Sequence, residues 1–132
     1  MKVIDSSSIA KLVNREQNWE RVEEALSGGC VSLDLAVKET GNSLWVRVHR
    51  RLLDDKHARR FFSEFVAARP FVIEGQELLY DSAMEIALTL DITIYDAIFL
   101  ALAKKKGYPF VTSDPSQAEA AKKLGVVVDL IP

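Results

Sequence analysis

Four of the 19 acidic side chains in this 132-residue chain stand in surroundings that carboxylates usually avoid. Asp5 follows Val3-Ile4 directly, and Asp114 follows Phe110-Val111-Thr112-Ser113, so each closes a short apolar run of strand type. Asp96 lies three, four and seven residues before Phe99, Leu100 and Ala103, on what reads as the core face of a helix. Glu39 falls two residues past Val37 and one turn before Asn42. Carboxylates that converge repel one another and raise at least one pKa unless a cation is bound. A hard divalent ion with oxygen ligands, Mg²⁺ or Mn²⁺, removes that cost. Such an ion also lowers the pKa of a bound water, holds a scissile phosphate and offsets charge in the transition state. The chemistry expected of this set is metal-dependent phosphodiester hydrolysis.

Each acid also has an ordinary structural explanation. Asp5, or the serines after it, suits the N-cap of a first helix, and Asp114 before Pro115 pairs an Asp cap with proline at the first helical position. Thr93-Ile94-Tyr95-Asp96 fits a capping box at the positive end of a helix dipole. Glu39 reads equally as a solvated helix residue. Taken singly the structural readings are good; taken jointly the four acids favour a shared site. Capping and metal binding also coexist, because a carboxylate has two oxygens.

The elements that must position these acids are legible from the apolar pattern. "KVI", "CVSL", "FVI", "FVTS" and "VVVDLI" read as short strands. Helices are expected over "IAKLV", from Asn18 to Ser27 before Gly28-Gly29, from about Leu35 to Leu53 across Gly41, and from about Asp55 to Ala68 before Pro70. Three more are expected from about Gln76 to Leu90, from Tyr95 to Lys106 and from Pro115 to Leu124. Nearly continuous apolar strands alternating with helices predict a parallel α/β sheet covered on both faces, with sites at the carboxyl ends of strands. No repeat or linker divides the chain, so residues 1–132 are expected to form one domain.

Composition narrows the function. Apolar residues make up 48% and charged residues 27%, which is globular and not disordered. The lone cysteine, Cys30, fits a reducing cytoplasm. The longest apolar run, Ala97 to Ala103, is far short of the roughly 20 residues of a membrane helix, and "MKVIDSSS" has no apolar signal core. The net charge of −2 argues against tight, indiscriminate coating of nucleic acid. It does not argue against an enzyme that grips one phosphate through a metal.

"KVIDSSSIAKLV", "VKETGNSL", "YDAIFLALAKKKG" and "FVTSD", in that order, resemble the four motifs of PIN domains, and most of all those of small prokaryotic ribonucleases of VapC type. The resemblance spans nearly the whole chain. It implies a PIN-like three-layer sandwich, a central parallel sheet with helices on both faces. It implies that Asp5, Glu39, Asp96 and Asp114 hold Mg²⁺ or Mn²⁺, and that Thr112 hydrogen-bonds the metal-bound water or a neighbouring carboxylate. Asn42 and Ser7 would stand behind those ligands. The implied reaction is cleavage of RNA by water without a covalent intermediate, in the toxin half of a toxin–antitoxin pair that binds a cognate antitoxin and forms a homodimer. Many relatives carry a further acid past the last motif, where this chain has Pro115, Ser116 and Gln117. One ion, plus a substrate-recruited one, is the expectation.

Other features are weighed against plainer roles. "RVHRRLLDDKHARR", Arg47 to Arg60, holds six Arg/Lys and two Asp, hence +4, and Lys104 to Lys106 form a second basic cluster. Both suit phosphate contacts, and both suit solvated faces or a helix C-terminus. His49 and His57 are not spaced as a metal pair, and Cys30 reads as a small buried hydrophobe. Trp19 and Trp45 are expected in the core or at subunit contacts. A receiver-type phosphoacceptor domain also places acids at strand ends, but it needs paired acids after the first strand and a strand-terminal Asp mid-chain. A PIN-like fold retained only for RNA binding is the third reading.

Overall fold

The computed structural model describes residues 1–132. The apolar runs become strands β1 (Lys2–Ile4), β2 (Cys30–Leu33), β3 (Val72–Glu74), β4 (Phe110–Thr112) and β5 (Val128–Leu130). All pair in parallel, in the order β3-β2-β1-β4-β5. Val3 of the central β1 registers with Val31 on one side and Phe110 on the other. Val3, Ile4, Leu33, Phe110 and Val111 are fully buried, as expected of strands covered on both faces.

The helices are α1 (Ser6–Val13), α2 (Trp19–Ser27), α3 (Asp34–His49), α4 (Asp55–Ala68), α5 (Tyr80–Leu90), α6 (Ile94–Lys106) and α7 (Pro115–Lys123). The chain winds outward from β1 to β2 to β3, then returns through α5 and α6 to β4 on the other side of β1 and continues to β5. Because parallel crossovers are right-handed, that reversal places the later helices on the opposite face. Accordingly α1 packs on α2 and α3, and α3 on α4, while α5 packs on α6 and α6 crosses β1 and β2. The result is the expected three-layer α/β sandwich. The winding changes direction between β1 and β4, and the crevice at their carboxyl ends is the place where such sheets bind ligands.

Several boundaries differ from the sequence reading for local reasons. The helix expected to reach Leu53 ends at His49, where Arg50 caps it and Arg51 takes a left-handed φ of 59°. The helix expected from Gln76 is a 3-10 turn over Glu77–Leu79 followed by α5. Gly41 does not interrupt α3: a Cβ there would lie 2.9 Å from the Phe62 ring, so its role is to let α4 pack directly against the α3 backbone. α6 has no single core face, since every residue from Ala97 to Ala103 is buried. A helix apolar all round is a core helix, and its exposed first turn carries Asp96 away from the core rather than along its edge. Trp45 is 59% exposed, so it is not part of the core. Cys30 is buried.

Candidate active site

Asp5 and Asp114 sit where β1 and β4 hand over to helices, on either side of the switch point. Both cap the helices that follow. Asp5 Oδ1 accepts from the Ser8 backbone N–H at 3.2 Å, and Asp114 Oδ1 accepts from the Ser116 N–H at 2.9 Å and from its hydroxyl at 3.0 Å. Pro115 occupies the start of α7, where its missing N–H costs nothing. The capping expectation is therefore met at both acids. At α6 the Thr93 hydroxyl accepts from the Asp96 N–H at 3.2 Å.

Hydroxyl groups tie the two strand ends together. Thr112 Oγ1 donates to Asp5 Oδ2 at 2.6 Å and accepts from the Asp114 N–H at 3.1 Å. Ser7 Oγ donates to Asp5 Oδ1 at 2.6 Å and accepts from the Ser113 N–H at 2.9 Å. Thr112 Oγ1 thus joins the Asp5 carboxylate to the Asp114 backbone. Ser7 Oγ likewise joins Asp5 to the Ser113 backbone. Asn42 is exposed and makes no side-chain hydrogen bond, so it does not support the acids here.

Two supporting residues were not singled out from the sequence. Ser6 Oγ donates to Glu39 Oε1 at 2.8 Å, fastening α3 to the start of α1. Gln117 is buried and donates its side-chain N–H to the Asp96 carbonyl at 2.8 Å, joining α7 to α6. Only the run of three serines hinted at the first. A glutamine one turn into α7 carried no signal of the second.

The electrostatics bring the four acids into one group. Burial pushes the Asp5 carboxyl from its ordinary 3.8 up to about 6, against the lowering pull of Ser7, Thr112 and Ser8, and the Asp114 charge adds to the rise. Burial also raises Glu39, with Asp96 adding to it and the Ser6 hydroxyl opposing. Asp96 is raised by partial burial and then by Asp114, with Thr93 opposing. Each acid therefore feels the next, Asp5 to Asp114 to Asp96 to Glu39. None of the chain's ion pairs includes any of them. With the side chains turned as they are, no three of the chain's His, Cys, Asp and Glu groups stand close enough to enclose a metal ion. What fits a hard divalent cation is the donor chemistry: four carboxylates, all oxygen, with no Lys or Arg to neutralise them.

Other candidates stand apart from this group. Asp34 follows β2 directly, so a strand-end acid does exist mid-chain, but it pairs with Lys38 on the surface of α3. His57 Nδ1 lies 2.7 Å from Asp54 on exposed α4 and has no nucleophile beside it. In the basic segment Arg47 donates to Asn14 and Arg60 pairs with Glu64, while Lys106 pairs with Glu74. No single helix is long and apolar enough to cross a membrane.

Residues 2–123 match the PIN domain family model. The chain is 37% identical over 123 residues to Ribonuclease VapC3 of Pyrobaculum aerophilum, covering 89% of this chain and 92% of that protein. It is 27% identical over 116 residues to Exonuclease VapC9 of the same organism, covering 85% of this chain and 79% of that one. The crystal structure of PAE2754 from Pyrobaculum aerophilum superposes with a TM-score of 0.74 at 23% identity, covering 96% of this chain and 87% of that one. The switch-point crevice, the acids around it and a match over nearly the whole length agree: the chain belongs to the PIN-domain family.

Proposed function

We propose that the chain is a Mg²⁺- or Mn²⁺-dependent endoribonuclease of VapC type, with Asp5, Glu39, Asp96 and Asp114 as ligands and Thr112 as the hydroxyl that holds Asp5. The observation that carries this reading is that Asp5, Glu39 and Asp96 are raised chiefly by burial and further by a carboxylate of the same set, while no ion pair reaches any of the four acids. A divalent ion bound there supplies a water of lowered pKa, a hold on the scissile phosphate and charge for the transition state. The chain supplies position. Ser7, Ser8 and Thr112 fix the Asp5 carboxylate, Ser6 fixes Glu39, and Gln117 fixes the turn that carries Asp96. No covalent step is required, because neither histidine stands beside a serine or cysteine as a base, and Cys30 is buried in β2.

The raised Asp5 carboxyl takes up a proton that a cation must displace, so metal affinity falls as pH drops through about 6. Ser116 and Gln117, where many relatives carry another acid, favour one resident ion. The 37% identity to Ribonuclease VapC3 supports RNA as substrate, and the VapC resemblance extends the proposal to a toxin role, with a cognate antitoxin as partner and a homodimer as the working state. The lone Cys30 suits a cytoplasmic setting.

A circular single-stranded RNA tests both the site and the mode of attack, since only an endonuclease opens it. The wild-type chain with Mn²⁺ is expected to linearise the circle, and Asp96→Asn to slow this by roughly 100-fold or more while keeping its circular dichroism and melting temperature. An Asp96→Asn variant that cuts as fast as wild type would refute the assignment. Cutting of linear RNA from an end, with the circle untouched, would refute the endonuclease reading.

A further inference from the structure

The sequence placed Trp45 in the core or at a subunit contact; the structure takes it out of the core and onto the surface of this chain. Its indole stacks on the His49 imidazole one turn later, with ring centroids 5.0 Å apart and planes 7° from parallel. Trp45 is 59% exposed and His49 is exposed too, so the pair presents flat aromatic surface outward. An exposed indole costs free energy in water unless something covers it.

The position of this pair is as informative as its exposure. Trp45 and His49 lie on α3, the helix that carries Glu39, about 9 Å and about 15 Å further along its axis. In helical projection the order around α3 is Glu39, Asn42, His49, Trp45, so the exposed Asn42 lies between the acid and the aromatic pair. Directly after His49 come Arg50 and Arg51, both exposed, and neither forms an ion pair or a side-chain hydrogen bond. Arg47, by contrast, is already engaged by Asn14. A flat aromatic surface beside free guanidinium groups, on the same helix as an acid of the site, matches a single-stranded nucleic acid: bases stack on the ring, phosphates meet the cations. An apolar protein partner would find the indole but would have to bury or pair the two arginines.

From this arrangement we infer that the Trp45–His49 pair is a stacking platform for an unpaired base of RNA that flanks the scissile phosphate, with Arg50 and Arg51 meeting the adjoining backbone. The inference rests on the ribonuclease reading above. It makes Trp45 a substrate-binding residue outside the acid group, and it predicts a preference for unpaired over base-paired RNA next to the cut.

Trp45 emission can be read on a Trp19→Phe background, with a short unstructured RNA in EDTA so that no cleavage occurs. RNA is expected to quench that emission. Trp45→Ala is expected to weaken binding about tenfold, within the range that loss of one stacked base produces, while Trp45→Phe stays within about threefold. With Mn²⁺ present, an RNA carrying an abasic residue at the flanking position should lose the same factor in kcat/KM with wild type and lose nothing further with Trp45→Ala. Unchanged affinity in Trp45→Ala, or an abasic penalty that persists in it, would overturn the platform. So would a loss of affinity that appears only together with conversion of a dimer to monomers in sedimentation, which would assign the face to a second copy of the chain. If the wild-type chain neither binds nor cuts RNA, the ribonuclease reading itself falls; if it cuts normally and Trp45→Ala cuts equally well, only the platform falls.

Discussion

Replacing Asp5 by Asn should remove the loss of stability that ionisation of Asp5 causes in the metal-free protein and should leave the enzyme inactive, and the pH dependence separates the two effects. Asp5 is 4% exposed and its carboxyl is raised from 3.8 to about 6, chiefly by burial. A rise of about two pKa units corresponds to about 3 kcal/mol between the protonated and ionised folded states. The folded value lies above the unfolded one, so between about pH 4 and pH 6 the folded chain binds more protons than the unfolded chain. Stability contributed by this group is therefore present below about pH 4, is lost as pH rises through about 6, and levels off beyond. The slope for one proton is at most about 1.4 kcal/mol per pH unit. An asparagine side chain cannot ionise and has no such slope.

The variant and wild type carry the same packing change at every pH, so their difference at pH 4 serves as the baseline. Urea unfolding in EDTA should show the Asp5→Asn variant gaining about 3 kcal/mol relative to that baseline by pH 7.5, roughly 10 °C in melting temperature. Part of the gain comes from relieving the repulsion between Asp5 and Asp114. Mn²⁺ at about 100 times its dissociation constant should add about 2.7 kcal/mol to wild type and much less to the variant, nearly restoring what ionisation costs. A stability difference that stays flat from pH 4 to 7.5 would mean that Asp5 ionises normally. Burial and repulsion would then not be what governs this carboxyl, and the reasoning from them would fail.

Thr112→Val keeps the shape of the side chain but removes the hydroxyl that donates to Asp5 and accepts from the Asp114 N–H. It should cost about 1.5–3 kcal/mol near neutral pH and move the pH threshold for Mn²⁺-dependent cleavage upward, which rate profiles from pH 5 to 8 would show. Gly41→Ala places a Cβ 2.9 Å from the Phe62 ring and should destabilise by roughly 1–3 kcal/mol in urea unfolding, with Phe62→Leu relieving it. A gain of about 1 kcal/mol in Gly41→Ala, as helix propensity alone would give, would show that the ring moves aside freely.

The parts of the site that the sequence revealed are those where a local pattern and a long-range position coincide. An apolar run that ends in an acid is a buried strand ending at the sheet's carboxyl edge, so Asp5 and Asp114 could be placed without knowing the strand order. Helix α4 matches its expected span because Pro70 follows its end, and Asp54 caps its start in the structure. Asp96 was misplaced for a definite reason. Helical periodicity supplies a face only when one side is polar, and α6 is buried all round, so its pattern carries no phase. Ser6 and Gln117 were missed because their partners come from other elements, which only the strand order β3-β2-β1-β4-β5 brings near. The core half of the Trp45 expectation fails, and its neighbours Asn42 and His49 on α3, with Arg50 and Arg51 just past it, already marked a polar surface.

The capping and metal readings of the acids stop being rivals once the lone pairs are counted. An ionised carboxylate offers about four acceptor positions, and Asp5 uses three, for Ser7, Ser8 and Thr112. Asp114 accepts both Ser116 bonds on Oδ1 and leaves Oδ2 free, and Glu39 accepts from Ser6 on Oε1 and leaves Oε2 free. The helices α1, α6 and α7 all begin beside these acids, so three positive dipole ends face the group, each worth about 0.3–1 kcal/mol to a nearby anion. One dipole end of that size offsets only part of the burial that raises Asp5. Capping and hydroxyl bonds therefore leave one lone-pair position on Asp5 and one whole oxygen on each of Asp114 and Glu39, and these are what a divalent cation would bind. On the proposed reading the ion answers a charge that the fold leaves uncompensated, which is why Asp5→Asn is expected to remove activity together with the pH-dependent loss of stability.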